Sequence, residues 1–579
     1  MAGLDAAAVA RLLVEFGRRM ELAGENPYRA RAYAKAAEGL RALTEPLEDL
    51  VAHGRLREIP GVGEGIAERI RTLQRTGTHS KLETLRRQVP ASVLEMLNLP
   101  GLRADRVLKI YQQLGIATLD ALEQAARADK LKDVKGLGPA LQRKILEGVE
   151  ILRRGRGQRH VHRAEQLLQS AQANLQKSHP ELRRITPAGA YRRGCEVVGG
   201  LVLVAEVKDG KSSAHAPKLG GQIKLHVADP AHYGTALLFA TGSEAHLAAL
   251  QERADKKGLT LEVTGLRRGT RAIACKDEKA VYSALGLPLI PPELREGRGE
   301  IELAAANKLP KLVSDNDLRG ILHAHTDLSD GVHTLAQMAQ ATQQRGYCYF
   351  GVADHSQSAG YAGGLSVEEI AAQHAEIDRL NGKYGGKFRI LKGIESDILA
   401  DGALDYPDDV LQTFDFVVAS VHSRFRLDAQ MQTARILRAV ENPHTTILGH
   451  LTGRQLLRRY GYDVDVDAIL QACAKHGVAV EINSNPYRLE LDWRWHQRAL
   501  QLGCMLSINP DAHSNSEIDL THWGVQIARK GGVPKERVLN CLELPAFSKF
   551  LQERKRRCVP ARRAPSRSSP PRRKSPTEK

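Results

Sequence analysis

ILHAHTDLSDG, residues 321–331, sets two histidines at alternate positions at the end of a short apolar run, with carboxylates close behind. Alternate residues of an extended strand point to one side, so His323 and His325 are expected to present their rings together. The pattern recurs down the chain: GVADHS (351–356), KGIESDIL (392–399), VVASVHS (417–423), ILGH (447–450), VEINSNP (480–486) and SINPDAHS (507–514) each bring histidine or carboxylate to the end of an apolar run. Asp511-x-His513 repeats the opening geometry. Amphipathic stretches such as VEEIAAQHAEIDRLNGKYG (367–385) and VDAILQACAKHG (466–477) lie between them. Strand alternating with helix predicts a parallel β/α barrel whose functional groups gather at the C-terminal strand ends. A single histidine is more often a hydrogen-bonded core or surface residue than a ligand. His355, His422 and His450, each closing its own apolar run beside the two paired sites, point instead to a shared metal centre.

Charge is unevenly spread along the 579 residues. Residues 1–318 carry 50 Lys/Arg against 38 Asp/Glu, residues 319–553 carry 23 against 28, and residues 554–579 carry 11 against 1. A basic front suits a polyanionic partner, and the acidic stretch suits cations. The end, RKRRCVPARRAPSRSSPPRRKSPTEK, lacks hydrophobic pattern and is expected to be disordered, with sequence-blind affinity for nucleic acid. Seven scattered cysteines without a Cys-x-x-Cys pair argue for a reducing compartment and against a zinc ribbon or disulfide frame. No stretch approaches the roughly 18 apolar residues of a membrane span. MAGLDAAAVARLLVEFGRRM (1–20) reads as an amphipathic helix rather than a signal peptide. The expectation is a cytoplasmic monomer with no membrane partner and no organic cofactor.

Nearer the start, one local pattern occurs three times: IPGVGEGIAERI (59–70), LPGLRADRVLKI (99–110) and VKGLGPALQRKI (134–145). Each resembles a helix-hairpin-helix, in which glycine permits a tight turn and backbone N–H groups at a helix start hold a phosphate. Such contacts position DNA without reading sequence. Gly61, Gly63, Gly65, Gly101, Gly136 and Gly138 are the candidate DNA-binding positions.

The spacing of these repeats is similar to the N-terminal and fingers regions of family X DNA polymerases. PAGAYRRGCEVVGGLVLVAEV (187–207), FATGSEAH (239–246) and LGLPLIPPELREGRGEIELA (285–304) continue that resemblance through a palm and thumb. It implies nucleotide contacts at Gly189, Arg192, Arg193, Thr241, Gly242 and Ser243. It also implies three metal-binding aspartates, but their positions hold Gly200, Val202 and Lys224. Two ligands are missing and the third is a cation, so the polymerase centre is expected to be inactive. The lysine that forms a Schiff base in eukaryotic relatives is matched by Arg69, which stays protonated and is no amine nucleophile.

Residues 319–550 resemble the PHP (polymerase and histidinol phosphatase) domain fused to bacterial family X polymerases. That resemblance implies nine ligands: His323, His325, Asp330, His355, Glu395, His422, His450, Asp511 and His513. Asp327 is an alternative to Asp330. The set implies three divalent cations bridged by Glu395, with Mn²⁺ favoured over Zn²⁺ or Fe²⁺. His323, His325, Glu395, His422 and Asp511 are the expected catalytic core. Arg424, Arg454 and Arg458 are candidate phosphate contacts.

The expected architecture is multidomain. A helical region carries the helix-hairpin-helix motifs (1–82, then a fingers-like 83–155). An α+β nucleotidyltransferase-like palm and thumb follow (156–305). Next come a linker (306–318), a distorted (β/α)7 PHP barrel (319–553) and the basic tail (554–579). The expected function is a DNA-binding metal-dependent phosphoesterase, a 3′–5′ exonuclease acting on gapped, nicked or 3′-ended duplex in repair. AP-site incision and 3′-phosphate removal are related activities. The competing readings are an active polymerase/exonuclease, a histidinol-phosphatase-like small-molecule phosphatase, and a DNA scaffold without chemistry.

Overall fold

The computed structural model describes residues 4–557, apart from 42, 44, 45, 60, 100, 101 and 208–222. Gly101 and residues 558–579 of the basic tail therefore lie outside the described residues. The chain divides into two compact units, 1–156 with 457–459, and 157–456 with 460–579. Among the described residues no helix is long and apolar enough to cross a membrane.

The first unit is helical and holds two cores. One gathers Leu13, Phe16, Ala67, Ile70 and Leu82, and the other Met96, Val107, Ile110, Leu122 and Ile145. The repeated motifs start helices Glu64–Thr76, Ala104–Leu114 and Pro139–Arg154. Their N-caps are Gly63, Arg103 and Gly138, and none receives a side-chain cap. Gly61 (φ +84°) and Gly136 (φ +93°) take the left-handed backbone that makes each turn possible. Arg69 sits within the first of these helices, where its Nη1 donates to the Gly65 carbonyl at 2.5 Å.

The second unit begins with a three-stranded mixed sheet. Strand Leu201–Val207 runs antiparallel to Leu182–Pro187 and parallel to Ile223–Ala228. A small antiparallel meander (Thr260–Glu262, Gly265–Arg268, Arg271–Ile273) follows among helices Tyr233–Thr241, Glu244–Asp255 and Glu278–Ala284.

From residue 320 every strand pairing within the sheets is parallel. Strands Gly320–Ile321, Tyr349–Gly351 and Arg389–Leu391 form one sheet. Strands Gly393–Asp397, Phe416–Ser420, Ile447–Leu448, Ala479–Asn483 and Leu506–Asn509 form another in sequence order. Two parallel bridges, Ala324↔Ala512 and His355↔Glu395, join strand ends of one sheet to the other. Phe416–Ser420 and Ala479–Asn483 are buried along their whole length, as expected of parallel strands covered on both faces. The covering comes from helices such as Leu335–Gln344, Val367–Tyr384, Ala429–Glu441, Val466–His476 and Thr521–Lys530.

The last helix, Leu544–Arg557, runs four residues into the stretch assigned to the tail. Phe547 and Leu551 anchor it in the core, and Phe547 stacks on Tyr349 with ring centroids 5.2 Å apart. Arg554 is buried, its Nη1 donating to the His476 carbonyl at 2.8 Å. Composition and the lack of hydrophobic pattern placed Arg554 in the tail; the apolar spacing of the preceding turns keeps it in the helix.

Candidate metal centre

All the expected ligands converge at the C-terminal ends of the parallel strands. Three groups place their ligand atoms within 4.8 Å of one another: His325, Asp330, His355 and His513; His323, His325 and Asp511; and His355, Glu395 and His422. His325 and His355 are each shared by two groups. His450 falls outside them but its Nε2 lies 3.0 Å from Glu395 Oε1 and 3.3 Å from His422 Nε2.

Glu395 is the hub. Its Oε1 lies 3.2 Å from His323 Nε2 and 3.3 Å from His422 Nε2, and its Oε2 lies 3.0 Å from His355 Nδ1 and 3.7 Å from His325 Nε2. Asp330, 36% exposed, closes the outer side, with His513 Nε2 at 3.3 Å and His355 Nε2 at 3.6 Å. Asp327 is exposed and joins no group among the described residues; the helix that follows is capped by Thr334.

The two paired motifs do not act through regular strand alternation. The first strand ends at Ile321, and His323 has φ +66°; Asp511 has φ +52°. Left-handed backbone at non-glycine residues is costly and persists where surrounding contacts hold it. Here the chain twists as it leaves each strand, and that twist turns both members of each pair inward.

Electrostatics follow from burial and close packing of charge. Burial would raise the Glu395 pKa, but His422, His323 and His355 hold it well below the carboxylate range. Burial likewise opposes ionisation of Asp511, and His323 and His325 overcome it. Burial pulls down the His355 pKa, yet Glu395 and Asp330 outweigh it and hold the ring at about 10. His422 and His513 reach about 9 against the same burial, through Glu395 with Asp397 and through Asp330 with Asp511. His325 is shifted down, because burial and neighbouring His355 and His513 exceed what Asp511 restores.

Several nitrogens are left over. His323 Nε2, His325 Nε2 and His355 Nδ1 are buried 3.0–3.2 Å from carboxylate oxygens, and His325 Nδ1 is buried 3.8 Å from one, yet none has the geometry of a hydrogen bond among the described residues. Buried polar atoms are rarely orphaned. Imidazole nitrogens interleaved with carboxylates at this spacing fit a donor set for divalent cations.

The orienting residues were not singled out from sequence. His323 Nδ1 donates to Glu481 Oε1 at 2.5 Å, which turns Nε2 inward, and Glu481 Oε2 accepts from the His450 backbone N–H at 2.7 Å. His422 Nδ1 donates to Asp397 Oδ1 at 2.5 Å. Such partners fix the tautomer and orientation of a ligating histidine. Their signal was present: Asp397 stands two residues beyond Glu395 on the same strand, and Glu481 lies in VEINSNP.

The residues at the expected polymerase positions group differently. Val202 pairs with Lys224 across parallel strands, and Lys224 is exposed, as is Gly200 just ahead of the strand. Neighbouring carboxylates are engaged elsewhere. Glu206 pairs with Arg184. Glu196 accepts from Trp493 Nε1 at 3.1 Å and Arg494 Nη1 at 3.0 Å. Asp229 accepts from the Ala231 N–H at 2.8 Å and from His232 Nδ1 at 2.7 Å. None of the three ligand groups lies in this region among the described residues.

The candidate nucleotide contacts do come together. Arg192 donates to Thr241 Oγ1 at 2.9 Å and to both Glu278 oxygens at 2.9 and 2.7 Å; Arg193 donates to Glu296 at 2.8 Å and to the Thr241 carbonyl at 2.7 Å. Ser243 caps helix Glu244–Asp255, Gly242 ends the helix before it, and Gly189 turns at φ +68°. Arg424, two residues beyond His422, is exposed with φ +55°.

Three family models match the chain: a helix-hairpin-helix domain at residues 5–79, a SAM-like helix-hairpin-helix tandem at 93–150, and a DNA polymerase beta thumb at 236–296. The DNA polymerase/3′-5′ exonuclease PolX of Bacillus subtilis is 32% identical over 575 residues, covering 94% of this chain and 99% of that protein. A probable phosphatase of Caldanaerobacter subterraneus subsp. tengcongensis is 24% identical over 255 residues, 42% of this chain and 94% of that protein. A probable phosphatase of Thermoanaerobacter sp. strain X514 is 27% identical over 178 residues, 29% of this chain and 70% of that protein.

Proposed function

The chain belongs to the PolX family, and from that premise we propose that its metal centre is a 3′–5′ DNA exonuclease while its palm no longer polymerises. The observation that carries the first part is the convergence of buried imidazole and carboxylate groups around Glu395, with orphaned nitrogens facing them. We read the two parallel sheets and their joining bridges as a seven-stranded barrel, counting Arg389–Leu391 and Gly393–Asp397 as one interrupted strand. Three divalent cations, Mn²⁺ foremost, would be held by His323, His325, Asp330, His355, Glu395, His422, His450, Asp511 and His513. Bound there, they would polarise water and neutralise phosphate charge.

The chain's own residues do the remaining work. Glu481 and Asp397 hold His323 and His422 with Nε2 inward, so the site is organised before substrate arrives. Asp330 and His513, the more exposed members, mark the side from which a strand end enters. Hydrolysis joins a water oxygen to phosphorus as the bond to the 3′ oxygen breaks. The shortened strand keeps that oxygen as a hydroxyl, and the released nucleotide carries the new one.

DNA as the phosphoester is supported by the helix-hairpin-helix matches and by the PolX relative, which spans both activities in its name. That relative also favours a second reading, in which this chain polymerises too. The loss of polymerase activity is supported by Gly200, Val202 and Lys224 at the aspartate positions, and by the engagement of Glu196, Glu206 and Asp229 with other partners.

The test is a 5′-labelled primer–template incubated with Mn²⁺. Stepwise shortening from the 3′ end is expected, abolished by EDTA and reduced at least about 1,000-fold in His323→Ala/His325→Ala. Rapid turnover of small phosphomonoesters with intact DNA would favour a small-molecule phosphatase instead.

A further inference from the structure

Arg454, an expected phosphate contact, is committed elsewhere. Its Nε donates to the Arg488 carbonyl at 3.0 Å, its Nη1 to Asp492 at 2.7 Å, and its Nη2 to the Leu489 carbonyl. The segment it grips is also tied from within, since the Asn485 carbonyl accepts from the N–H groups of Arg488 at 2.7 Å and Leu489 at 3.0 Å. This fixed loop carries the Arg488 side chain to the edge of the metal centre.

The guanidinium arrives there without a close acceptor. Its Nε is 3.9 Å from Asp511 Oδ2 and its Nη1 is 3.7 Å from Glu490 Oε1, both beyond hydrogen-bond reach. The side chain is only 19% exposed, and no nearer acceptor is found among the described residues. Asp511 meanwhile directs Oδ1 at His323 and His325 and accepts from Asn483 through Oδ2. None of the Arg488 nitrogens is sealed from solvent, so the donors that no protein group takes up stay open to an incoming acceptor. The planar fork of the guanidinium matches the oxygens of a phosphate.

We infer that Arg488 donates to a non-bridging oxygen of the scissile phosphate, on the Asp511 side of the metal centre, and that Arg454 is the positioning residue that holds it there. This rests on the phosphoesterase reading above and adds a phosphate-binding residue that the metal ligands do not supply. The competing role is a simple counter-charge to Asp511 and Glu490.

Arg488→Met and Arg488→Lys, compared with the full-length wild type loaded with Mn²⁺, separate the two. Calorimetry with inorganic phosphate and hydrolysis of 3′-ended DNA and of an aryl phosphate are measured together with Mn²⁺ content and thermal unfolding. The expected result for Arg488→Met is a loss of about 100-fold in kcat/KM on both substrates. Phosphate should bind at least tenfold more weakly, with Mn²⁺ content unchanged, and Arg488→Lys should fall between. Retained phosphate affinity in Arg488→Met, or loss of Mn²⁺ and fold in both variants, would overturn the inference. A wild type inert on both substrates would sink the phosphoesterase reading, and the phosphate titration would still decide Arg488.

Discussion

His496 shows what burial does to a histidine when it outweighs the nearby carboxylate, here Asp492. It is fully buried, donates from Nε2 to the Leu491 carbonyl at 3.2 Å, and its Nδ1 has no partner among the described residues. Burial lowers its pKa to about 4, whereas His355, His422 and His513 are held above neutrality by the acids around them. In the unfolded chain His496 titrates near 6.5. As pH falls from about 6.5 to about 4, the unfolded state therefore takes up a proton that the folded state refuses. Stability present above that window is lost within it, by about 3 kcal/mol at its foot. Urea midpoints for wild type and His496→Gln, taken from pH 7.5 to 4.5, should show the wild type losing more stability than the variant. Parallel curves would contradict this.

At the scale of the elements, the parallel sheets depend on close approach where strands begin. A β-carbon at Gly393 would stand 2.3 Å from both the Phe416 ring and the Val352 carbonyl oxygen. The ring can shift; the carbonyl belongs to a neighbouring backbone and cannot. Gly393→Ala is expected to destabilise by about 1–3 kcal/mol, read as a lowered denaturation midpoint, with an unchanged midpoint as the contrary result. This is also the scale at which sequence reading was strongest and weakest. The seven short apolar runs ending in histidine or carboxylate each coincide with a parallel strand, because such groups gather at a fixed strand end. Strand alternation misjudged how His323 and Asp511 reach the centre, since a twist at a strand exit leaves no periodic trace. Arg454 looked like a ligand contact because a charge beside a motif does not reveal its partners, and the carbonyls it holds carry no side-chain signal at all. Glu481 and Asp397 were legible in principle, Glu481 within the run VEINSNP and Asp397 two residues beyond Glu395, but orientation through Nδ1 becomes visible only when strands are adjacent.

Across the whole molecule, each part is suited to a different charge. Residues 1–318 carry the helix-hairpin-helix motifs and an excess of Lys/Arg, and residues 319–553 carry the acidic metal centre. Lys224, proposed above to stand in place of a metal-binding aspartate, lies opposite Val202 on the adjacent strand. On this account the metal centre is the working catalytic site of the chain, and the palm contributes no nucleotidyl transfer. The most direct measurement uses the His323→Ala/His325→Ala variant, in which primer shortening can no longer hide extension. A 5′-labelled primer–template is incubated with that variant, Mn²⁺ and all four dNTPs, with the wild type alongside. The account predicts a primer of unchanged length with the variant and a shortened one with the wild type; a lengthened primer in the variant lane would contradict it.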